Sequence, residues 1–172
     1  MNLLNLYFTP FATVLVLIAI YFPAVTAPER IERNIAFGIL IASLAINYWF
    51  SRNIYRYVGW TNRLRTMQIW ITFIWSVALF YLIVPAFAPA YLLVTIPVAA
   101  VALNQGRWQT LLAGCVGMAA IIGVYCLRWQ GEWVGPQMWA QAWVHAGFMP
   151  VLGLFIHSLA QTALRMRDIS TR

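Results

Sequence analysis

Two histidines, His145 and His157, are the residues of this sequence with the clearest capacity for cofactor chemistry. A bis-histidine haem needs ligands on opposite sides of the porphyrin, normally from two helices. Residues twelve positions apart on one helix point about 120° apart, at roughly 100° per residue, so this pair cannot clamp one haem. A haem shared between two protomers is the remaining alternative. We expect each histidine instead to make a hydrogen bond between helices, worth typically about 0.6 kcal/mol in a membrane.

A polar stripe on the last apolar stretch is the best candidate for a ligand site. Gln137, Gln141 and His145 follow an i, i+4, i+8 spacing and share one helix face. Tryptophans line the neighbouring face and the preceding loop, which suits a small hydrophobic or amphipathic ligand. The alternative is an aromatic belt at the membrane surface with polar contacts between helices. The proposed ligand site comprises Trp129, Glu132, Trp133, Gln137, Gln141 and His145, beside Trp139 and Trp143.

No catalytic constellation is present in the sequence. The apolar stretches contain no Asp, Glu, Lys or Arg, so carboxylate pairs for acid–base chemistry are missing from them. The sequence also lacks a glycine-rich phosphate loop, a nucleophile elbow and a metal-binding motif. Cys115 and Cys126 both lie in apolar sequence, and we expect each to be a buried structural thiol. We therefore predict no catalytic residues, no metal and no cofactor.

The composition places these residues in a membrane. Of 172 residues, 63% are hydrophobic and 9% are charged, whereas soluble domains carry about 25% charged residues. The net charge is +7, and every basic residue is an arginine. Because the arginines cluster at the ends of apolar runs, they indicate membrane anchoring and not a nucleic-acid partner.

We predict six membrane spans from the apolar stretches, using the rule that a span needs about 20 mostly apolar residues. The fold class is thus an all-α integral membrane protein with six transmembrane helices. The fourth span is short and contains Pro97, which favours a kink or a tilt. We expect the first span to be retained as a helix and not cleaved as a signal peptide. The predicted spans are Leu4–Val25, Asn34–Phe50, Met67–Pro85, Pro89–Leu103, Gln109–Leu127 and Gln137–Thr162.

The loops predict the orientation of these spans. One side carries eight arginines, and the other side carries three that are balanced by glutamates. Positive charge favours the cytoplasmic side, so both termini are expected in the cytoplasm. The first set is Arg52, Arg56, Arg63, Arg65, Arg107, Arg165, Arg167 and Arg172; the second is Arg30, Arg33 and Arg128, with Glu29, Glu32 and Glu132.

The fifth span carries two pairs of small residues at i, i+4 spacing. These pairs are Ala113–Gly117 and Ala119–Gly123. Small residues at this spacing let a neighbouring helix backbone approach closely. We therefore predict that the fifth span packs tightly against another helix, of the same chain or of a second one.

An apolar seam runs from the sixth span into the charged C-terminal tail. Its residues are spaced 3, 4, 3, 4, 3, as in the a and d positions of a coiled coil. This spacing predicts one helix that leaves the bilayer and pairs with its copy in parallel. We divide the chain into a six-helix membrane domain, 1–162, and the start of a cytoplasmic coiled-coil linker, 163–172. The seam residues are Leu152, Phe155, Leu159, Thr162, Met166 and Ile169.

The tail sequence MRDISTR, Met166 to Arg172, resembles the segment that immediately precedes a GGDEF domain in membrane-bound diguanylate cyclases. In that family a signalling helix leads into a motif of the type [ST]-x-D-x-L-T-G-L-x-N-R, and Ser170, Thr171 and Arg172 fit the lead-in. The six short spans resemble the MASE class of membrane-associated sensor domains. The resemblance implies a non-catalytic sensory and dimerisation module in the bacterial inner membrane. Its output domain would lie beyond residue 172 and make cyclic di-GMP.

Other functions stay open at this point. A sensor of an adenylate cyclase or of a histidine kinase has the same architecture, although a kinase would continue into a His-Glu-x-x-x-Pro helix. A complete small transporter or channel is a further alternative. A transporter predicts functional polar residues on several spans, and the lack of charge within the apolar stretches disfavours it.

Overall fold

Helices make up the regular structure of the computed structural model, which describes residues 13, 14, 17, 30–53, 61–85, 88–129 and 135–170. The all-helical prediction is therefore confirmed for this part of the chain. Five of the six predicted spans coincide with helices, and the first, Leu4–Val25, lies outside the described residues except at positions 13, 14 and 17. The elements are α1 Arg30–Asn53, α2 Thr61–Ile83, a 3-10 helix Ala88–Tyr91, α3 Leu92–Asn104, α4 Arg107–Arg128 and α5 Pro136–Ser170.

Three of these helices contain stretches long and apolar enough to cross a membrane: Arg63–Ile83, Arg107–Arg128 and Pro136–Met166. Shorter apolar stretches, Asn34–Phe50 and Pro89–Asn104, lie in and around α1 and α3. The chain is thus a helical membrane protein. Six spans and the cytoplasmic position of both termini stay predictions.

The first of two compact units, Met1–Ile96, contains the contact between α1 and α2. The Asn47 side-chain oxygen accepts a hydrogen bond from Gln68 Nε2 at 3.3 Å. Thr72 Oγ1 lies at the same distance from it, but the one Thr72 hydroxyl proton has a closer acceptor in the Gln68 carbonyl oxygen at 2.8 Å. Asn47 lies six residues before the end of α1, and Gln68 lies seven residues after the start of α2. Contacts at similar distances from the connecting turn are those of an antiparallel hairpin. Gln68 is only 8% exposed, so its amide needs a partner from the neighbouring helix.

The second unit, Pro97–Arg172, is built on an antiparallel pair formed by α4 and α5. A Cβ atom placed on Gly114 would lie 2.5 Å from the Pro150 Cα atom, and one on Gly117 would lie 3.5 Å from Met149 Cγ. The two backbones therefore meet at Gly114, where the missing side chain leaves room for the proline.

The predicted tight packing of the fifth span is confirmed, but only one of the predicted small-residue pairs contributes a close glycine contact. Gly117 packs against Val98 and Met149. Gly123 has open space where a Cβ atom would stand, and Ala119 is exposed. The closest approach falls on Gly114, one residue after Ala113. The spacing of small residues thus predicted a close contact but not which glycine makes it.

The prediction of buried thiols is wrong for both cysteines. Cys115 and Cys126 are free and exposed on α4. They are eleven residues apart, about three helical turns, so they share one face. In a membrane helix both the packed face and the lipid-facing face are apolar, and apolar neighbours therefore do not indicate burial in protein.

Candidate functional site

His145 lies on α5 beside Tyr125 of α4. The Tyr125 hydroxyl oxygen is 3.4 Å from His145 Nδ1, and the tautomer of the imidazole decides which group donates. Tyr125 is only 4% exposed, and a buried phenol usually finds a hydrogen-bond partner. The bond joins two helices, so the interhelical role predicted for His145 is confirmed.

Trp129 completes this cluster at the end of α4. Its indole stacks on the Tyr125 ring with 5.1 Å between centroids and 21° between planes. The Trp129 backbone N–H also donates to the Tyr125 carbonyl oxygen at 3.3 Å, which closes the last turn of the helix. We call Tyr125, Trp129 and His145 the Tyr125 cluster. The structure thus brings together two residues of the predicted ligand site through a third.

The remaining residues of the predicted ligand site are not part of this cluster. Gln137 and Gln141 have exposed side chains on α5, and among the described residues neither hydrogen-bonds to the Tyr125 cluster. Glu132 and Trp133 lie outside the described residues. Trp139 and Trp143 are exposed as well, the arrangement expected of an aromatic belt. A ligand at this end of α5 stays a prediction.

Tyr125 is not among the site residues predicted from the sequence, although a signal for it exists. It precedes Trp129 by one helical turn, so the two rings must share a face of α4. What the sequence does not give is the register of α4 against α5, which places His145 beside this face. A phenol and an imidazole can bind a polar group by hydrogen bonds. Within the described residues no group of three or more His, Cys, Asp or Glu side chains could hold a metal ion.

The last helix extends well past its neighbour. α5 has 35 residues, about 52 Å at 1.5 Å per residue, against roughly 30 Å of hydrocarbon in a bilayer. Gly153 packs against Thr110, one turn after the start of α4 at Arg107. Since the pair is antiparallel, the part of α5 beyond about residue 157 extends past the first residue of α4. That part is about 20 Å of helix.

The predicted seam lies on this projecting part and just before it. Phe155, Leu159, Thr162 and Met166 are all exposed. The Thr162 hydroxyl donates to the Ser158 carbonyl oxygen of its own helix at 2.9 Å. Its donor is therefore satisfied, and a threonine is compatible with an apolar seam. Ile169 lies in the helix, and its side chain is outside the described part of the structure.

The same exposed side of α5 continues back into the apolar part of the helix. In that part the exposed residue is Val151, which is 65% exposed, whereas the predicted seam residue Leu152 is partly covered. The spacing of the whole face is 4, 3, 4, 4, 3, 4, which is an eleven-residue pattern repeated twice. We call this set the exposed face of α5: Val144, Phe148, Val151, Phe155, Leu159, Thr162 and Met166.

The geometry of α5 defines the class of this protein. It is a helical membrane protein in which α5 extends past the start of α4 and exposes apolar residues along both its packed and its projecting part. The predicted helix that continues from the sixth span into the tail is observed, since α5 runs unbroken from Pro136 to Ser170. Comparisons with protein-family models, with curated proteins and with solved structures give no match.

Proposed function

We propose that this chain is a membrane sensory and dimerisation module that regulates a cytoplasmic diguanylate cyclase through α5. The observation that carries the proposal is the exposed face of α5, which continues past the start of α4 to Met166. A helix with an apolar stripe that the described residues of its own chain leave exposed favours a partner from elsewhere. The partner we propose is the same helix of a second copy.

Lipid accounts for only part of this face. At the start of α4, Trp108 is 80% exposed and follows Arg107. An exposed tryptophan beside an arginine is typical of the membrane–water boundary. Met166 lies about 13 Å further along α5 than His157, which is near the level of this boundary. In this proposal lipid tails cover Val144 and Phe148, whereas the exposed side chain of Met166, at the very end of the apolar stretch Pro136–Met166, is covered by the second copy.

A parallel pair fits both the symmetry and the spacing of the face. Two copies related by a twofold axis along the helix present identical residues to one another, so one apolar face covers the other. An eleven-residue repeat corresponds to about 3.67 residues per turn and favours a right-handed supercoil over the left-handed one of heptad repeats. The pairing is therefore expected to begin within the membrane, at Val144, and to continue into the cytoplasm.

The nature of the output domain rests on the resemblance of MRDISTR to the lead-in of a GGDEF domain. A diguanylate cyclase condenses two GTP molecules between two protomers, so a helix pair that sets the distance of the two output domains would control it. The module itself supplies no catalytic residue. With the arginine-rich loops and the tail in the cytoplasm, the chain would lie in the bacterial inner membrane.

The input to the module is proposed at the opposite end of α5. There the Tyr125 cluster provides a phenol, an imidazole and a stacked indole on two packed helices. These groups suit a small hydrophobic or amphipathic ligand that carries one hydrogen-bonding group. Binding would change the contact between α4 and α5 and so reach the helix that leads to the output domain.

Two observations test the proposal. The codons after Arg172 should encode a Leu-Thr-Gly-Leu-x-Asn-Arg run, and a stop codon there would contradict the cyclase assignment. In the full-length protein, Met166→Asp should lower cyclic di-GMP production, because each new carboxylate would be desolvated beside its twin. Gln161→Asp is the matched control, since Gln161 is exposed but lies off the face. Equal cyclic di-GMP production by both variants would contradict a role of the helix pair in regulating the cyclase.

A further inference from the structure

His157 binds the end of another helix. Its Nδ1 atom lies 3.0 Å from the carbonyl oxygen of Ala102, in the last turn of α3. A carbonyl oxygen only accepts hydrogen bonds, so Nδ1 must carry the proton and donate it. The last four carbonyls of a helix have no partner within that helix. His157 therefore satisfies an acceptor that α3 cannot satisfy by itself, as predicted for an interhelical histidine.

The neighbouring carbonyls at the end of α3 are satisfied locally. Asn104 Nδ2 donates to the Ala100 carbonyl oxygen, and the Gln105 N–H donates to that of Val101, both at 2.8 Å. The next helix starts at once, where the Gly106 N–H donates to Gln109 Oε1 at 2.9 Å. The turn between α3 and α4 is thus closed by its own short-range bonds. At Ala102, by contrast, the donor comes from α5.

His157 also marks the place where α5 leaves the body of the second unit. One turn earlier, a Cβ atom on Gly153 would lie 3.0 Å from Val98 Cγ1 and 3.3 Å from Thr110 Cγ2. From Ser158 to Met166 every residue is exposed except Ala160, which is partly covered. The hydrogen bond of His157 therefore acts where the packed part of α5 ends and the projecting part begins.

We propose that His157 is a positioning residue whose bond to Ala102 fixes the rotation and axial position of α5 where the helix passes the start of α4. A shift of the α5 register by one residue would move the Nδ1 atom by about 1.5 Å along the helix axis and turn it by about 100° around that axis. Either change breaks a hydrogen bond of 3.0 Å. Movement of the α3–α4 turn is thereby passed to the projecting helix. The consequence for the output domain rests on the proposed function; the positioning itself does not.

The test compares two isosteric side chains at position 157. Asparagine keeps an N–H donor close to the place of Nδ1, and leucine has the same shape without a donor. Spin labels at cysteines replacing Gln105 and Gln161 report the distance from the turn to the projecting helix. The background is Cys115→Ala with Cys126→Ala, in nanodiscs that hold one chain each, so that no dimer contributes to the signal.

We expect His157→Asn to keep the wild-type distance distribution. We expect His157→Leu to broaden it or to shift its maximum by at least about 2 Å, more than the rise of one residue. Equal distributions for the two variants, whether both wild-type or both altered, would overturn the proposal. If His157→Leu does not fold, His157→Phe keeps a ring without a donor and takes its place. A changed distance without a change in cyclic di-GMP output would contradict the proposed function and leave the positioning role intact.

Discussion

Gly114 of α4 and Pro150 of α5 meet backbone to backbone, so that a Cβ atom on Gly114 would lie 2.5 Å from the Pro150 Cα atom and 3.0 Å from its nitrogen. Both atoms belong to the backbone and cannot rotate away as a side chain could. The contact lies near the middle of the antiparallel pair and fixes how closely α4 approaches α5. Every geometrical relation of α5 to α4, including the Tyr125–His145 bond, depends on this approach.

The first prediction follows from that contact. Gly114→Ala should destabilise the second unit by about 1–3 kcal/mol, because the added methyl group overpacks the interface. Gly123→Ala is the matched control on the same helix, since nothing lies within 4 Å of its Cβ position. Thermal unfolding of the purified protein in detergent measures both. Equal unfolding midpoints for the two variants would show that the helices do not meet at Gly114.

The second prediction concerns Cys115 and Cys126, which are exposed on α4. Replacing both with alanine should change the free energy of unfolding by no more than about 0.5 kcal/mol each, as is usual for exposed sites. A lipid-soluble maleimide should also label both thiols in membranes without denaturant. A loss of several kcal/mol, or labelling only after unfolding, would mean that these thiols are buried in protein.

The third prediction concerns the hairpin of α1 and α2. Asn47→Leu removes the acceptor of the Gln68 amide, while the Thr72 hydroxyl keeps the Gln68 carbonyl oxygen at 2.8 Å. The variant should cost about 0.6 kcal/mol, the mean for hydrogen bonds between membrane helices, and at most about 1.7 kcal/mol. Ser43→Ala is the control, because the Ser43 hydroxyl donates to Leu40 within α1. Adding Gln68→Leu to Asn47→Leu should recover part of the loss, since no buried amide is then left unsatisfied. No recovery in the double variant would contradict the pairing.

The helices could be predicted from the sequence because a membrane span has a required length. Apolar stretches near 20 residues located α1, α2, α4 and α5, although α2 begins six residues before its predicted span and α5 ends eight residues after its own, and the short fourth stretch became α3. The continuity of α5 through residue 162 followed from its uninterrupted apolar spacing. These features depend on one segment at a time, which is why one sequence suffices for them.

Relations between segments were harder to predict. Gly114, Gly117 and Gly123 look alike in the sequence, and only the register of α4 against α5 separates the packed ones from the open one. The cysteines were placed wrongly for the same reason, because apolar neighbours are found on both sides of a membrane helix. His145 was assigned an interhelical bond correctly, but its partner Tyr125 depends on that register as well.

The fourth prediction is that the purified 172 residues synthesise neither cyclic di-GMP nor cyclic AMP. The described residues form apolar helices with no cluster of acidic side chains able to hold the metal ions of a nucleotide cyclase. Incubation with GTP and with ATP, followed by chromatography of the products, measures this. Synthesis of either cyclic nucleotide above the level of a heat-inactivated sample would contradict the assignment of a separate output domain.

The fifth prediction concerns the exposed face of α5 as a contact between two copies. Single cysteines at Val151 and Leu152 sample the part within the membrane, and cysteines at Met166 and Arg165 sample the part beyond it. In each pair the first residue lies on the face and the second lies beside it. The background again lacks Cys115 and Cys126, whose exposed thiols would crosslink on their own.

Disulfide crosslinking of these four variants in native membranes, together with cysteines at Ile169 and Arg167, tests dimerisation through the exposed face of α5 most directly. Side chains on the shared face of a parallel pair meet their own copies, whereas neighbouring positions diverge. We expect rapid crosslinking at Val151 and Met166 and slow crosslinking at Leu152 and Arg165; Ile169 should likewise exceed Arg167. Equal rates at all positions, or faster crosslinking at Leu152 and Arg165, would contradict dimerisation through this face and leave α5 as an ordinary membrane exit.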